Sequence, residues 1–159
     1  ERVNMEKKLL LAPSMGCCDL YDFEHQVRYI DDKADFLHID IKDGNYVKSF
    51  GVGPDFMTVL GKAVHTPMDA HLMVKHPQDY IEACAAAGAA YITPHTDCIE
   101  SDAFVTINKI LSLGCKAGIA MNPAAAGGYP VLPAAAFQSY DYDCRRGICR
   151  PESDCPDVR

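Results

Sequence analysis

Apolar residues fall in short runs, separated by longer stretches with helical spacing. Leu9 to Ser14 (LLLAPS) reads as a buried strand stopped by a Pro-Ser turn. Phe23, Val27 and Ile30 share one face of a helix predicted over 23–30. Phe36 to Ile41 (FLHIDI) reads as a second strand, closed by Asp43-Gly44. A helix over 54–64 and a third strand over 68–74 (MDAHLMV) follow. Next come a helix over 77–87 with Gly88 at its end and a strand over 91–95 (YITPH). The series closes with a helix over 102–113 stopped by Gly114 and a fifth strand over 116–121, ended by Asn122-Pro123.

Strands alternating with helices through short connections predict a parallel α/β sheet. The spacing of about 25 to 30 residues suits a (β/α) barrel and an open doubly wound sheet equally. No GxGxxG follows the first strand, so a dinucleotide site has no support. After Pro123 the periodicity stops. The stretch QSYDYDCRRGICRPESDCPDVR carries three cysteines among five acidic and four Arg residues, and no strand or helix is read there. The predicted organisation is a barrel-like part over 5–124 and an irregular tail over 125–159.

Length sharpens this picture. The chain has 159 residues, whereas a complete eight-stranded barrel takes about 250. A hydrophobic share of 48% is enough for a real core. The net charge of −7 argues against nucleic acid or an anionic membrane as partner. No apolar run approaches the roughly 20 residues of a membrane span. The start lacks a signal-peptide core and Met5 reads as an initiator, which together predict the cytoplasm. Cys17, Cys18, Cys84, Cys98 and Cys115 read as reduced thiols. Cys144, Cys149 and Cys155 are too unevenly spaced for paired zinc knuckles.

The candidate chemistry lies in the strands. His38 and Asp40 are two apart, so both point to one face, at the strand end that carries active sites in parallel barrels. His71 lies at similar depth in the next strand. Two imidazoles and a carboxylate converging there suit Zn, Mn, Fe or Co as a divalent ion.

These residues also carry a resemblance. HIDIKDG at 38–44 is similar to the HxDxMDG element of ribulose-phosphate 3-epimerases. DAHLMV at 69–74 resembles their third-strand motif, and APS at 12–14 their first-strand serine. The run over 76–110 is similar to a sister group in that family, the D-allulose-6-phosphate 3-epimerases. The resemblance covers about 115 residues and implies a TIM-type (β/α)8 barrel, here incomplete, with about five strand-helix units present.

The resemblance further implies a metal-dependent ketose-phosphate 3-epimerase working through an enediolate on a sugar phosphate, and a homo-oligomer for the full-length family. His38, Asp40 and His71 would be metal ligands, with Asp40 also acid or base. Ser14, His71 and Met73 would contact substrate. Asp43 and Gly44 are read as shaping a turn. Asp69 is read as either a partner behind a ligand or a strand polar residue, and His95 as structural or pocket-facing. Lys42 departs from the family, which usually has Met there. On the opposite face it would be harmless; facing inward, it would set a cation beside the metal and weaken metal binding. The DxKxxD motif of orotidine-phosphate-decarboxylase-type barrels is a poor alternative, because position 45 is Asn.

The resemblance calls for a sixth strand with a Gly-rich turn, a second catalytic Asp in the seventh and phosphate-binding loops. The tail offers none of them. Read one base later from Gly127, with synonymous codons chosen, it yields a segment like the family's sixth strand. A frameshift near Ala124–Ala126 accounts for that. Five strands leave an unpaired edge, which predicts marginal stability and little activity. The alternatives are a non-catalytic fragment or pseudogene product, and a half-barrel that pairs with another copy.

Overall fold

The computed structural model describes residues 10–121 and the backbone of 141–143 and 148–150. Strands β1 (Leu37–Lys42), β2 (Met68–Met73), β3 (Ala89–Pro94) and β4 (Lys116–Ala117) form one parallel sheet in the order β1-β2-β3-β4. Helices α1 (Phe23–Asp31), α2 (Pro54–Leu60), α3 (Ile81–Ala86) and α4 (Ala103–Ser112) alternate with them. Each strand lies beside its neighbour in the chain. An open doubly wound sheet reverses its strand order partway, so this order favours the barrel. The architecture is a partial TIM-type α/β barrel.

The core forms because β1 is buried along nearly its whole length. Its apolar positions Leu37, Ile39 and Ile41 join Leu72 and Ile92 of the neighbouring strands. Val27, Met57, Ile81 and Ile110 from the four helices complete one cluster. The alternate positions of β1, His38 and Asp40, are also buried but polar. Period-two alternation therefore separates an apolar face under the helices from a polar face where the chemistry sits.

Several predicted elements are shorter than expected. Leu9 lies outside the described residues, and of the first predicted strand only Ser14 forms a bridge, parallel to His38. Leu11 O still accepts from Asp35 N and Phe36 N, and Pro13 O from His38 N, so the segment runs along the open side of β1. Prolyl nitrogen has no hydrogen, and Pro13 therefore cannot donate to a ladder. The helix predicted over 54–64 stops at Leu60, with Gly61 as its cap. The one predicted over 77–87 breaks into a 3-10 turn at Pro77–Asp79 and then α3, which ends before Gly88 at φ +93°.

The fifth predicted strand shrinks to β4 plus a bridge between Ala120 and His95. Gly118 passes so close to β3 that a Cβ there would lie 2.3 Å from Thr93 Oγ1. The tail corrects the expectation of no strand: β5 (Asp141–Asp143) pairs antiparallel with β6 (Ile148–Arg150). Three-residue strands are too short for alternation to be read from sequence. The remainder of the tail, with Cys144 and Cys155, lies outside the described residues. Among the described residues no helix is long and apolar enough to cross a membrane.

Candidate metal centre

Parallel pairing of β1 with β2 sets Asp40 opposite His71 and His38 opposite Asp69. This register brings three predicted ligands together. His38 Nε2 and His71 Nδ1 each lie 3.1 Å from the same oxygen, Asp40 Oδ1. The three donor atoms all lie within 4.8 Å of one another. Donors bound at about 2.1 Å to one tetrahedral or octahedral ion sit about 3.0–3.4 Å apart along an edge. The two short separations match that edge, and the N, N, O donor set suits a borderline transition ion.

Other hydrogen bonds hold these donors in place. His38 Nδ1 lies 2.8 Å from Asp69 Oδ2, and Thr93 Oγ1 donates to Asp69 Oδ1 at 3.0 Å. Asp69 is thus the carboxylate behind the His38 imidazole, where a partner of a candidate ligand would stand. Ser14 Oγ donates to Asp40 Oδ2 at 3.3 Å and accepts from Gly16 N at 3.3 Å. Ser14 was expected to contact substrate. In this structure its hydroxyl orients Asp40, while its N-cap position turns the chain after the first segment.

Lys42 lies inward. It is two residues beyond Asp40, and its Nζ comes to 3.9 Å from Asp40 Oδ2. Met73, paired with Lys42 in register, is half-buried at the same end of the sheet. Asp43 and Gly44 build the turn as expected. Asp43 Oδ1 accepts from Asn45 N and Tyr46 N, Oδ2 accepts from Lys75 N, and Gly44 adopts φ +72°.

The charges follow from this geometry. Burial opposes a charged His38, but hydrogen bonds to Asp40 and Asp69 and their negative charge outweigh it and raise the imidazole to about 9. Burial also opposes ionisation of Asp40. Hydrogen bonds and charge from His38 and His71 prevail and hold its carboxyl far below the usual carboxylate range. A proton on His38 therefore balances Asp40, and a cation that takes His38 Nε2 must displace it.

His95 is the part of the site that sequence reading did not resolve. Its Nε2 lies 2.8 Å from His71 Nε2, with the ring planes 26° apart and the centroids 4.9 Å apart, so the two imidazoles meet edge to edge. Tyr46 packs on its other side at 4.8 Å and donates to both oxygens of Asp97, at 3.1 and 3.2 Å. Burial, with the nearby His71, pushes His95 down to about 4, against a smaller upward pull from Asp97. The available signal was position: His95 ends its strand on the same side as His71. Elsewhere in the described residues, burial raises the Cys84 thiol to about 12, as expected of an inert core thiol.

Residues 10–129 match the Ribulose-phosphate 3 epimerase family. The ribulose-phosphate 3-epimerase of Rhodobacter capsulatus is 34% identical over 124 residues, covering 76% of this chain and 53% of the relative. That of Buchnera aphidicola subsp. Schizaphis graminum is 39% identical over 123 residues, covering 74% and 52%. The cytoplasmic isoform of ribulose-phosphate 3-epimerase from Oryza sativa subsp. japonica is 33% identical over 114 residues, covering 71% and 50%. The chain spans about half the length of the curated relatives it matches. With a four-stranded parallel α/β sheet, a His-Asp-His cluster at its polar face and these matches, the chain belongs to the ribulose-phosphate 3-epimerase family.

Proposed function

We propose that this chain carries the N-terminal share of a metal-dependent ketose-phosphate 3-epimerase, and that it is catalytically impaired as it stands. The observation that carries the metal reading is the convergence of His38 Nε2 and His71 Nδ1 on Asp40 Oδ1, each at 3.1 Å. A divalent cation bound there supplies positive charge beside the substrate's carbonyl oxygen.

Asp40 is the acid-base group on its side of the substrate. Its Oδ2 accepts from Ser14 while its Oδ1 faces the two imidazoles, so the carboxylate is held in one orientation. Epimerisation needs a second acid on the opposite face of the same carbon. The described residues bring no second carboxylate up to the cluster other than Asp69, and His38 and Thr93 already occupy both of its oxygens. His71 and Met73 line the substrate side, and Lys42 offers a cation to an anionic substrate oxygen.

The substrate is a ketose phosphate. The run over 76–110 supports allulose 6-phosphate, while the relatives are named for ribulose phosphate. The cytoplasm is the proposed location, and the assembled full-length form is a homo-oligomer. A reading-frame change near Ala124–Ala126 accounts for a tail unlike the family, and the family match ending at residue 129 supports it. Resequencing the DNA around codons 122–128 tests that point.

The functional test pairs calorimetric Co²⁺ or Zn²⁺ titration with solvent-deuterium exchange into ribulose 5-phosphate. One equivalent of metal should bind to the wild type and none to D40A, with exchange in the wild type far below a normal enzyme rate but above the D40A background. A wild-type chain that takes up no metal would sink the metal reading. Turnover near a normal enzyme rate would sink the claim of impairment. A non-catalytic fragment is the second reading, favoured by the half-length match, and it predicts metal uptake without exchange.

A further inference from the structure

The two ligand imidazoles are supported differently from behind. A ligand histidine usually gives its second ring N–H to a carboxylate, a carbonyl or a water, which fixes its tautomer and orientation. His38 does this directly, with Nδ1 2.8 Å from Asp69 Oδ2. Among the described residues, His71 has no carboxylate at that distance behind it. Its Nε2 meets another ring nitrogen, His95 Nε2, at 2.8 Å.

Two ring nitrogens this close share one hydrogen: one donates and the other must be bare. A cation on His71 Nδ1 uses that nitrogen's lone pair and leaves the ring hydrogen on Nε2. His95 Nε2 must then accept, and the hydrogen of His95 must sit on Nδ1. His95 Nδ1 is buried and has no hydrogen-bond partner among the described residues. Asp97 Oδ1 lies 3.9 Å from it, held by the Tyr46 hydroxyl. At that separation the carboxylate still favours hydrogen on the facing nitrogen, and a small shift of the side chain closes the bond.

We propose that His95 is a positioning residue of the metal centre, passing the orienting effect of Asp97 to His71 through an imidazole-to-imidazole hydrogen bond. This rests on the metal reading given above. The Tyr46 ring packs against His95 at 4.8 Å, tilted by 45°, and the His71 and His95 planes lie within 26° of each other, so the bond runs close to both ring planes. The outer support of the centre is therefore one step long on the β1 side and two steps long on the β2 side.

Histidine tautomers in the ¹⁵N-labelled wild-type chain, followed by NMR during Zn²⁺ addition, test the proposal. The expected result is His38 and His71 responding at Nε2 and Nδ1, with His95 settling as the Nδ1–H tautomer. His95 as Nε2–H, with Zn²⁺ bound at the other two, overturns the proposal and leaves the metal reading intact. No response at His38 or His71 overturns both. H95F keeps an aromatic ring but removes the acceptor. It should weaken Zn²⁺ binding by about 10–100-fold, and wild-type affinity in that variant also overturns the proposal.

Discussion

The seam between β1 and β2 and the seam between β3 and β4 are built from the same kind of parallel pairing, yet they differ in strength. The first keeps one unbroken register from Leu37–Met68 to Lys42–Met73. The second pairs only Tyr91 with Lys116 and Ile92 with Ala117, then continues through one bond at Gly118 and two at Ala120. His38, Asp40 and His71, the proposed ligands, all stand on the first seam. His95, the orienting residue, stands on the second. Rigid geometry is needed where several donors must meet within a few tenths of an ångström. A looser seam suffices for a residue that acts through one hydrogen bond.

Core truncations should break this comparison most sharply. Leu72 is fully buried within the main apolar cluster beside β1. L72A should cost about 3 kcal/mol, in the middle of the range for such changes. Ile119 beside the weaker seam is 6% exposed and lies outside that cluster, so I119A should cost about 2 kcal/mol or less. Urea unfolding of both variants checks the order. A larger loss for I119A would reverse the ranking of the seams.

A smaller effect is expected where the weaker seam touches the site. A methyl group at Gly118 would meet Thr93 Oγ1, the donor to Asp69 behind His38. G118A should destabilise by about 1–2 kcal/mol through overpacking and should also lower metal affinity. Unchanged calorimetric affinity in a folded G118A chain would show that the two seams act independently.

The smallest effect concerns the lower end of the strong seam. Asp31, at the end of α1, accepts from the backbone nitrogens of His65 and Thr66, just before β2. Burial works against its charge, but these bonds, those of Thr66 first, outweigh it and hold the carboxyl below its usual range. A carboxyl depressed in the folded state stabilises above its unfolded value and loses that contribution as pH falls through the folded one. D31N should therefore cost about 1 kcal/mol at pH 7, and the deficit should shrink below about pH 4. A deficit that grows on acidification would contradict the sign.

Parity along β1 was legible without coordinates. His38, Asp40 and Lys42 alternate with Leu37, Ile39 and Ile41, so a shared polar face follows from period two alone. The same rule puts Lys42 on that face, yet the sequence reading left its side open, and only the structure sets its Nζ 3.9 Å from Asp40 Oδ2. The Asp43-Gly44 turn was legible too, because its chemistry is local. Helix ends were less so. The Pro77 break and the early stop at Gly61 depend on how each helix meets its strand.

The sequence by itself determined an alternating parallel α/β pattern, the polar face of β1 and the identity of the three side chains that converge there. Each of these follows from residues close together in the chain or from a family motif. Only the tertiary structure decided that Asp69 backs His38, that Ser14 turns towards Asp40 and that His95 backs His71. Those pairs join residues 24 to 31 positions apart. They exist only once the register between neighbouring strands is fixed, and that register is set by packing of the whole sheet rather than by any local preference.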